Sequence, residues 1–263
     1  MVSVKIIVCV KTNMDIQMVR VKNREPVLEA VPYKVGDLEK NALEAAIQIK
    51  ESGTDVTVLA LSVAEANGRI RETIKEALAI GADGAVIVAD PALAATDQAA
   101  VAATLARAVE HVGGADLLLF GEGSTDNYSG QVGSRVAQIL GMPQIGYARK
   151  VELVGSFVRV ERNMDDMVET LEAPLPVAVT VVSEINEPRI PSLMNIMKAG
   201  KKQVTELSLA DLGLDAASAA PQKTVLSNLA EKQHRKHVML EGDVSSQAVG
   251  LMDALVKEGV LRR

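Results

Sequence analysis

The 263 residues, 48% hydrophobic and 24% charged, describe a globular chain long enough for one large domain or one domain with an appendage. A net charge of −6 with no long basic face argues against nucleic acid as the main partner, and with no Trp, two Phe and three Tyr, stacking on aromatic rings is not the expected mode of nucleotide binding. The single cysteine, Cys9, excludes an internal disulfide; no signal-peptide pattern is visible at the N-terminus and no apolar run reaches the ~18 residues of a membrane span, so a cytoplasmic protein without membrane insertion is expected.

Residues 4–10 (VKIIVCV) are a short β-branched apolar run and read as a buried strand. In 38–51 the apolar positions Leu38, Ala42, Leu43, Ala46, Ile47 and Ile49 have helical spacing. VTVLAL (56–61) predicts a second strand. Ile70, Ile74 and Leu78 predict a helix over 65–80 that Gly81 ends. A third strand at 85–90, a helix at 97–112 and a fourth strand at 116–120 (DLLLF) follow. A helix over 129–140 is expected on Val132, Val136, Ile139 and Leu140, stopped by Gly141 and Pro143. This alternation implies stacked βαβ units, hence an α/β fold with a doubly wound, mostly parallel sheet.

Beyond residue 140 the pattern changes. Residues 149–162 predict a hairpin around Gly155-Ser156, and 169–182 ends in another strand. Periodicity is then lost through Pro188, Pro191 and the runs KAGKK (198–202) and DLGLDAASAAPQK (211–223), until a final helix at 244–258. Long structureless segments are uncommon in compact domains. The expected organisation is therefore a nucleotide-binding α/β domain at 1–183, and a loop and extended arm at 184–263 that wraps a partner subunit.

The most informative stretch is GEGSTDNYSGQVG (121–133), directly after DLLLF. Its opening is close to the dinucleotide fingerprint G-x-G-x-x-G, but Asp126 stands at the third glycine and the loop follows the fourth strand instead of the first. Gly121 and Gly123 permit close approach of a ligand. Ser124, Thr125, Asn127 and Ser129 are small polar groups suited to capping a helix and bonding phosphate oxygens. Gly130, Gln131, Val132 and Gly133 are expected to open the helix, whose free N–H groups attract anions. Ligands of open α/β sheets lie at the carboxyl ends of strands, where this loop begins. No G-x-x-x-x-G-K-[ST] is present, and no catalytic constellation appears. Cys9 is read as a small buried hydrophobe, His234 and His237 as part of a solvated basic patch, and Asp165-Asp166 as a surface turn.

Several stretches together resemble the β (small) subunit of electron transfer flavoproteins: VKIIVCVK (4–11), ETIKEALAIGAD (72–83), the 121–133 loop, and VERNMDDMVETLEAPLPVAVTVVSEINEPRIPSLMNIMKAGKK (160–202). The loop, PRIPS and EKQHRKHVMLEGD (231–243) are similar to the FixA-like branch, which is associated with acyl-CoA or carnitine metabolism. The resemblance implies a heterodimer in which an α subunit carries the redox FAD and the β subunit holds an adenine nucleotide, AMP in conventional members and a second FAD in bifurcating ones.

Carried onto this chain, the nucleotide contacts implied are Cys9, Gly36, Asp37, Leu38, Glu39, Leu61, Ser62, and the loop Gly121, Glu122, Gly123, Ser124, Thr125, Asp126, Asn127, Tyr128, Ser129, Gly130, Gln131 and Val132. The family's recognition loop falls on 184–202, with Leu193 at the anchoring leucine and Met194 and Ile196 beside it. The chain departs from the family at Gly36-Asp37-Leu38-Glu39, where many relatives carry Asn-Pro-aromatic-Asp. It departs again at Asp97-Gln98-Ala99-Ala100-Val101, which lacks the hydroxyls of bifurcating members. Asn163 stands where some relatives have an acid, with Glu161, Asp165 and Asp166 nearby.

The function implied is a non-catalytic electron carrier subunit that supports FAD-borne transfer to or from acyl-CoA dehydrogenases. Two other readings are a bifurcating subunit with a second FAD and NADH as donor, and a free-standing adenine-nucleotide-binding module. Neither metal nor nucleic acid is expected.

Overall fold

A computed structural model describes residues 3–53, 55–232 and 236–261; His234 lies outside the described residues. The chain divides into two units, residues 1–20 with 27–227, and residues 21–26 with 228–263.

The first unit is built on a nine-stranded sheet. Its strands are β1 (Val4–Cys9), β2 (Val56–Ala64), β3 (Gly84–Ala89), β4 (Leu117–Gly121), β5 (Gln144–Val154), β6 (Phe157–Asn163), β7 (Val168–Pro174), β8 (Val177–Val181) and β9 (Gln203–Leu207). The spatial order is β7-β6-β5-β8-β4-β1-β2-β3-β9. All neighbours are parallel except β5-β6 and β6-β7, which form an antiparallel edge. Helices α1 (Asp37–Glu51) and α2 (Gly68–Ile80) contribute to one core, and α3 (Gln98–His111) and α4 (Val132–Leu140) to another.

The alternation along β1 shows how one strand serves two cores. Ile6 and Val8 pack with Leu43, Ala46 and Ile74, while Ile7 and Cys9 pack with Leu105, Val109 and Leu118. Successive strand side chains point to opposite faces, so a strand apolar at every position needs a helix layer on each side. Each fully buried aliphatic side chain contributes about 1.5–3 kcal/mol. The fold is the doubly wound α/β class expected from the helix and strand periodicity.

Three local expectations are corrected. Strand β2 runs on to Ala64, so Leu61 and Ser62 are not its end. Helix α4 begins at Val132 and not at 129, because Gly130 adopts a left-handed φ of 63° and Gln131 is the N-cap. Ser129 therefore does not cap it. Regular structure also does not end at Val182. Helix α5 (Leu193–Ala199) and strand β9 follow, with β9 parallel to β3 at the sheet edge, and Leu209, Leu212 and Ala219 are buried in the α3–α4 core. Strand β9 reads QVTEL and is largely exposed, so it lacks the apolar signature of a buried parallel strand.

The stretch between β8 and α5 is held to α1 by polar contacts. Asn41 donates to the carbonyls of Ser183 (3.2 Å) and Asn186 (2.8 Å). Arg189 spans Glu44 (Nε to Oε2, 2.7 Å) and Glu51 (Nη1 to Oε1, 2.7 Å). Burial alone would raise the Glu44 pKa, but the Arg189 guanidinium outweighs it and holds the carboxyl below the ordinary glutamate range.

In the second unit, the backbones of Arg24 and Ala230 are joined (Ala230 N to Arg24 O, 2.7 Å), and α6 (Val244–Lys257) is N-capped by Asp243. No side chain of α6 is buried, and Val244, Val249 and Met252 are exposed.

Replacing Arg189 with Met leaves Glu44 buried without its cation and is expected to cost about 2 kcal/mol at neutral pH. A depressed carboxyl pKa stabilises above the unfolded-state value and loses that contribution as pH falls through the folded one. The deficit of the variant, followed by thermal unfolding, should therefore be full at pH 7 and shrink on acidification.

Candidate functional site

The strand order decides where a site forms. From β1 the chain steps outward to β2 and β3, then returns to place β4 on the other side of β1. Connections that leave on opposite faces open a crevice at the carboxyl ends of β1 and β4. A cavity of about 360 Å³ lies there, within the roughly 300–1,000 Å³ usual for small-molecule sites.

The expected site residues divide into those that line the cavity and those that support it. Cys9, Glu39, Gly121, Glu122, Gly123, Ser124, Asn127, Ser129, Gly130, Gln131 and Val132 line it. Cys9 is buried, and burial pushes its thiol well above the ordinary range, so it serves as a neutral wall. Gly36, Asp37, Leu38, Leu61, Ser62, Thr125, Asp126 and Tyr128 do not line it. Leu38 packs beneath the loop: a Cβ on Gly121 would stand 2.7 Å from that of Leu38, so only glycine lets the loop leave β4 so close to α1. Asp37 is exposed and pairs with Lys34 at 3.4 Å. Leu61 and Ser62 are buried inside β2, and it is Val63 and Ala64 at its end, with Glu65 just beyond, that line the cavity.

Asp126 and Tyr128 hold the loop in shape. Lys11, just past β1, donates to both Asp126 oxygens (2.6 and 2.7 Å) and to Ser124 Oγ (3.3 Å). Burial raises the Asp126 pKa, and the Lys11 ammonium more than reverses that. The Tyr128 hydroxyl donates to the Glu122 carboxylate, which pushes the phenol up to about 12, and its ring covers Gly123. Gly133 brings α4 against the sheet: a Cβ there would lie 2.8 Å from Thr180 Cγ2. Because Gln131 makes no side-chain cap bond, free N–H groups of α4 open beside the loop.

Of the opposite wall, the sequence singled out only the start of α3, Asp97 to Val101, and missed the rest. Thr96 and Asp97 reach the cavity from the start of α3, with Leu93, Val101, Leu105 and Phe120 as an apolar patch. Asp97 caps α3 through Ala99 N (2.9 Å) and Ala100 N (3.1 Å), while its second oxygen accepts from Gln222 N at 2.7 Å. These bonds hold its carboxyl below the ordinary aspartate range. The N-terminus of α3 is thus already met by an anion, whereas that of α4 is not. Tyr33 and Arg69 form a further edge, stacked at 4.2 Å with Arg69 Nη1 donating to the Tyr33 hydroxyl at 2.7 Å. A charged residue just after an apolar strand, as at Lys11, and a capping Asp before a helical run, as at Asp97, were the available signals.

Six buried side-chain atoms lack a hydrogen-bond partner among the described residues: Thr12 Oγ1, Asn13 Oδ1, Glu39 Oε2, Ser62 Oγ, Thr96 Oγ1 and Thr125 Oγ1. Three of these residues, Thr12, Glu39 and Thr96, line the cavity. Each unpaired buried group costs about 1–3 kcal/mol, so their gathering at one cavity fits a polar ligand that supplies the missing partners. The cavity has one apolar wall, one small-residue loop with open N–H groups, and these polar corners. That suits a molecule with a flat apolar ring, hydroxyls and an anionic end, as a nucleotide has. Elsewhere, no cluster of possible metal ligands occurs among the described residues, Asp165-Asp166 lie between β6 and β7, and Asn163 accepts from Arg149 at 3.2 Å. Among the described residues, no helix is long and apolar enough to cross a membrane.

Burial pushes the Glu39 carboxyl up to about 7, opposed in part by a hydrogen bond from Asn13 and by Lys11. A carboxyl whose folded pKa is raised binds more protons when folded, so stability falls as pH rises from the ordinary glutamate range to about 7. Glu39→Gln should abolish that slope and leave the ligand-free protein at least as stable as wild type above neutrality, as read by thermal unfolding across pH.

Residues 27–212 match the model of the electron transfer flavoprotein domain. The match covers β2 to β9, the 121–133 loop and the stretch anchored by Arg189. With the doubly wound sheet and its switch-point cavity already in place, this match over most of the chain shows that the protein belongs to the electron transfer flavoprotein family, a family of flavin-associated electron carriers.

Proposed function

We propose that this chain is the β subunit of an electron transfer flavoprotein, which holds AMP in the switch-point cavity and forms a heterodimer with an FAD-carrying α subunit. The observation that carries the reading is the cavity itself, where a small-residue loop and an uncapped helix start face an apolar wall. Gly121 to Val132 would receive the phosphate, and Leu93, Val101 and Leu105 would meet the base. FAD on the α subunit supplies the electron-carrying chemistry. This chain's residues bind, orient and exclude water, and none is needed as acid or base.

AMP is favoured over a second FAD by the size of the cavity and by the apolar Ala99, Ala100 and Val101 at the α3 start. A bifurcating role with NADH as donor has no feature in its favour here. A free-standing module would not need the exposed apolar side chains of residues 225–261, among them Leu226, Met239 and Val249. We assign residues 1–183 to nucleotide binding and 184–263 to partner contacts, with the C-terminal arm wrapping the α subunit in the cytoplasm. Leu193, Met194 and Ile196 on α5 are 74%, 59% and 52% exposed. Such a patch suits docking of an acyl-CoA dehydrogenase-type flavoenzyme, in keeping with a FixA-like branch.

Denaturing the purified complex should release one adenine nucleotide without a flavin band from this subunit and one FAD from its partner. Two flavins per heterodimer would overturn the AMP assignment. Gly130→Val forces a branched side chain onto a φ of 63° and should lower nucleotide occupancy at least tenfold while far-ultraviolet circular dichroism stays unchanged. Leu193→Ala should slow electron exchange with the dehydrogenase about tenfold or more, with nucleotide content unaltered.

A further inference from the structure

The apolar patch of α5 stands on a short support. The helix has seven residues, too few to persist on its own backbone bonds. Leu193 to Lys198 are all exposed, and only Ala199 is buried, in the core that α1 and α2 cover. Ser192 caps the start by accepting from Asn195 N at 3.2 Å. One buried alanine fixes where a helix sits but not how it is turned. A second hold comes from Lys202, which joins α5 to β9.

Among the lysines of KAGKK (198–202), Lys198 and Lys201 are exposed, whereas Lys202 turns inward and is half-buried. Its Nζ donates to Leu78 O at 2.8 Å and to Ala82 O at 2.6 Å, 124 and 120 positions away along the chain. These carbonyls close α2. The last four carbonyls of a helix have no partner within it, and that end carries partial negative charge, so a lysine ammonium suits it. The carbonyl of Ala77 already accepts from Gly81 N and Ala82 N (3.3 and 3.4 Å), and the ammonium meets the next one. Lys202 is also tied back to α5, since its own N–H donates to Ala199 O at 3.2 Å. The end of the docking helix is thus fastened to the end of α2 through one side chain.

We propose that Lys202 is a positioning residue for partner docking: by fastening α5 to the end of α2 it sets the direction in which Leu193, Met194 and Ile196 face the partner. This rests on the docking reading above and deepens it. Lys202 acts from beneath the patch and does not itself meet the partner, because its donors are engaged with α2. Loss of the ammonium leaves Leu78 O and Ala82 O without this donor and lets α5 turn about Ala199. The effect should fall on affinity for the partner and not on electron transfer once the partner is bound.

The test uses the complete α–β complex. Electron exchange with an acyl-CoA dehydrogenase-type flavoenzyme is followed against complex concentration, and amide hydrogen exchange is read by mass spectrometry. In wild type the amides of Ile196 to Ala199 should be protected; free exchange there overturns the proposal without any variant. Lys202→Met keeps the aliphatic stem and removes the donors. It should raise KM for the complex about tenfold with kcat unchanged, and speed exchange of α5 about tenfold while β1 and β4 keep their protection. Lys202→Arg, which can still donate to both carbonyls, should bring KM to within about twofold of wild type. In the Leu193→Ala background, Lys202→Met should raise KM little further, because both act through one patch. An unchanged KM in Lys202→Met, or a full additive rise in the double variant, overturns the positioning role. So does protection lost equally from α5, β1 and β4, which marks a purely structural lysine. If Leu193→Ala is itself without effect, the docking reading falls, and this inference with it.

Discussion

The reversal of winding beside β1 is the constraint on which the rest of this structure depends. Right-handed crossovers carry the chain to β2 and β3 with α1 and α2 packed on one face, then across to β4 with α3 and α4 on the other. No connection can bridge the carboxyl ends of β1 and β4, because each leaves in the opposite direction. The crevice is thus a consequence of closing two helix layers over one parallel sheet. The price in exposed backbone at these strand ends is met by the residues that gather there.

Those residues solve two opposed problems. The loop from β4 to α4 must pass close to α1 and to the neighbouring strands, which requires Gly121 and Gly133. It must also keep a defined shape without a core of its own, which the Lys11–Asp126 pair and the Tyr128–Glu122 bond supply. Exposed ion pairs contribute little to global stability, about 0–1 kcal/mol each, but they select one arrangement of a short glycine-rich segment. The unpaired Thr12, Glu39 and Thr96 are tolerated at the same place. Their cost makes the cavity poorly satisfied by protein groups alone and complementary to a ligand with hydroxyls and charge.

The same division between rigid frame and open chemistry extends to the surface. Arg189 and Asn41 hold the stretch after β8 to α1. The next helix can then present Leu193, Met194 and Ile196 outward from a fixed base. Binding energy concentrates where a few apolar side chains stand on a rigid support, because little conformational entropy remains to be lost.

Much of this was legible in order along the chain. The strands expected at 4–10, 56–61, 85–90 and 116–120 and the helical spacing of Ile70, Ile74 and Leu78 follow from periodicity alone, and the small polar residues of 121–133 mark the loop after β4. Strand β9 was not legible, since QVTEL acquires its identity from pairing with β3 and not from its own apolarity. Nor was the start of α4, which the left-handed turn at Gly130 postpones to Val132. The sequence by itself determined which segments become strands and helices and that a glycine-rich loop ends β4, because those depend on neighbours within a few residues. Only the tertiary structure decided that Lys11 meets Asp126, that Asn13 meets the Glu39 carboxyl, and that Asp97 closes α3 while α4 stays open. Lys11 and Asp126 are 115 positions apart, Asn13 and Glu39 26, and Asp97 and Gln222 125, so these pairings exist only once the sheet has brought its strand ends together.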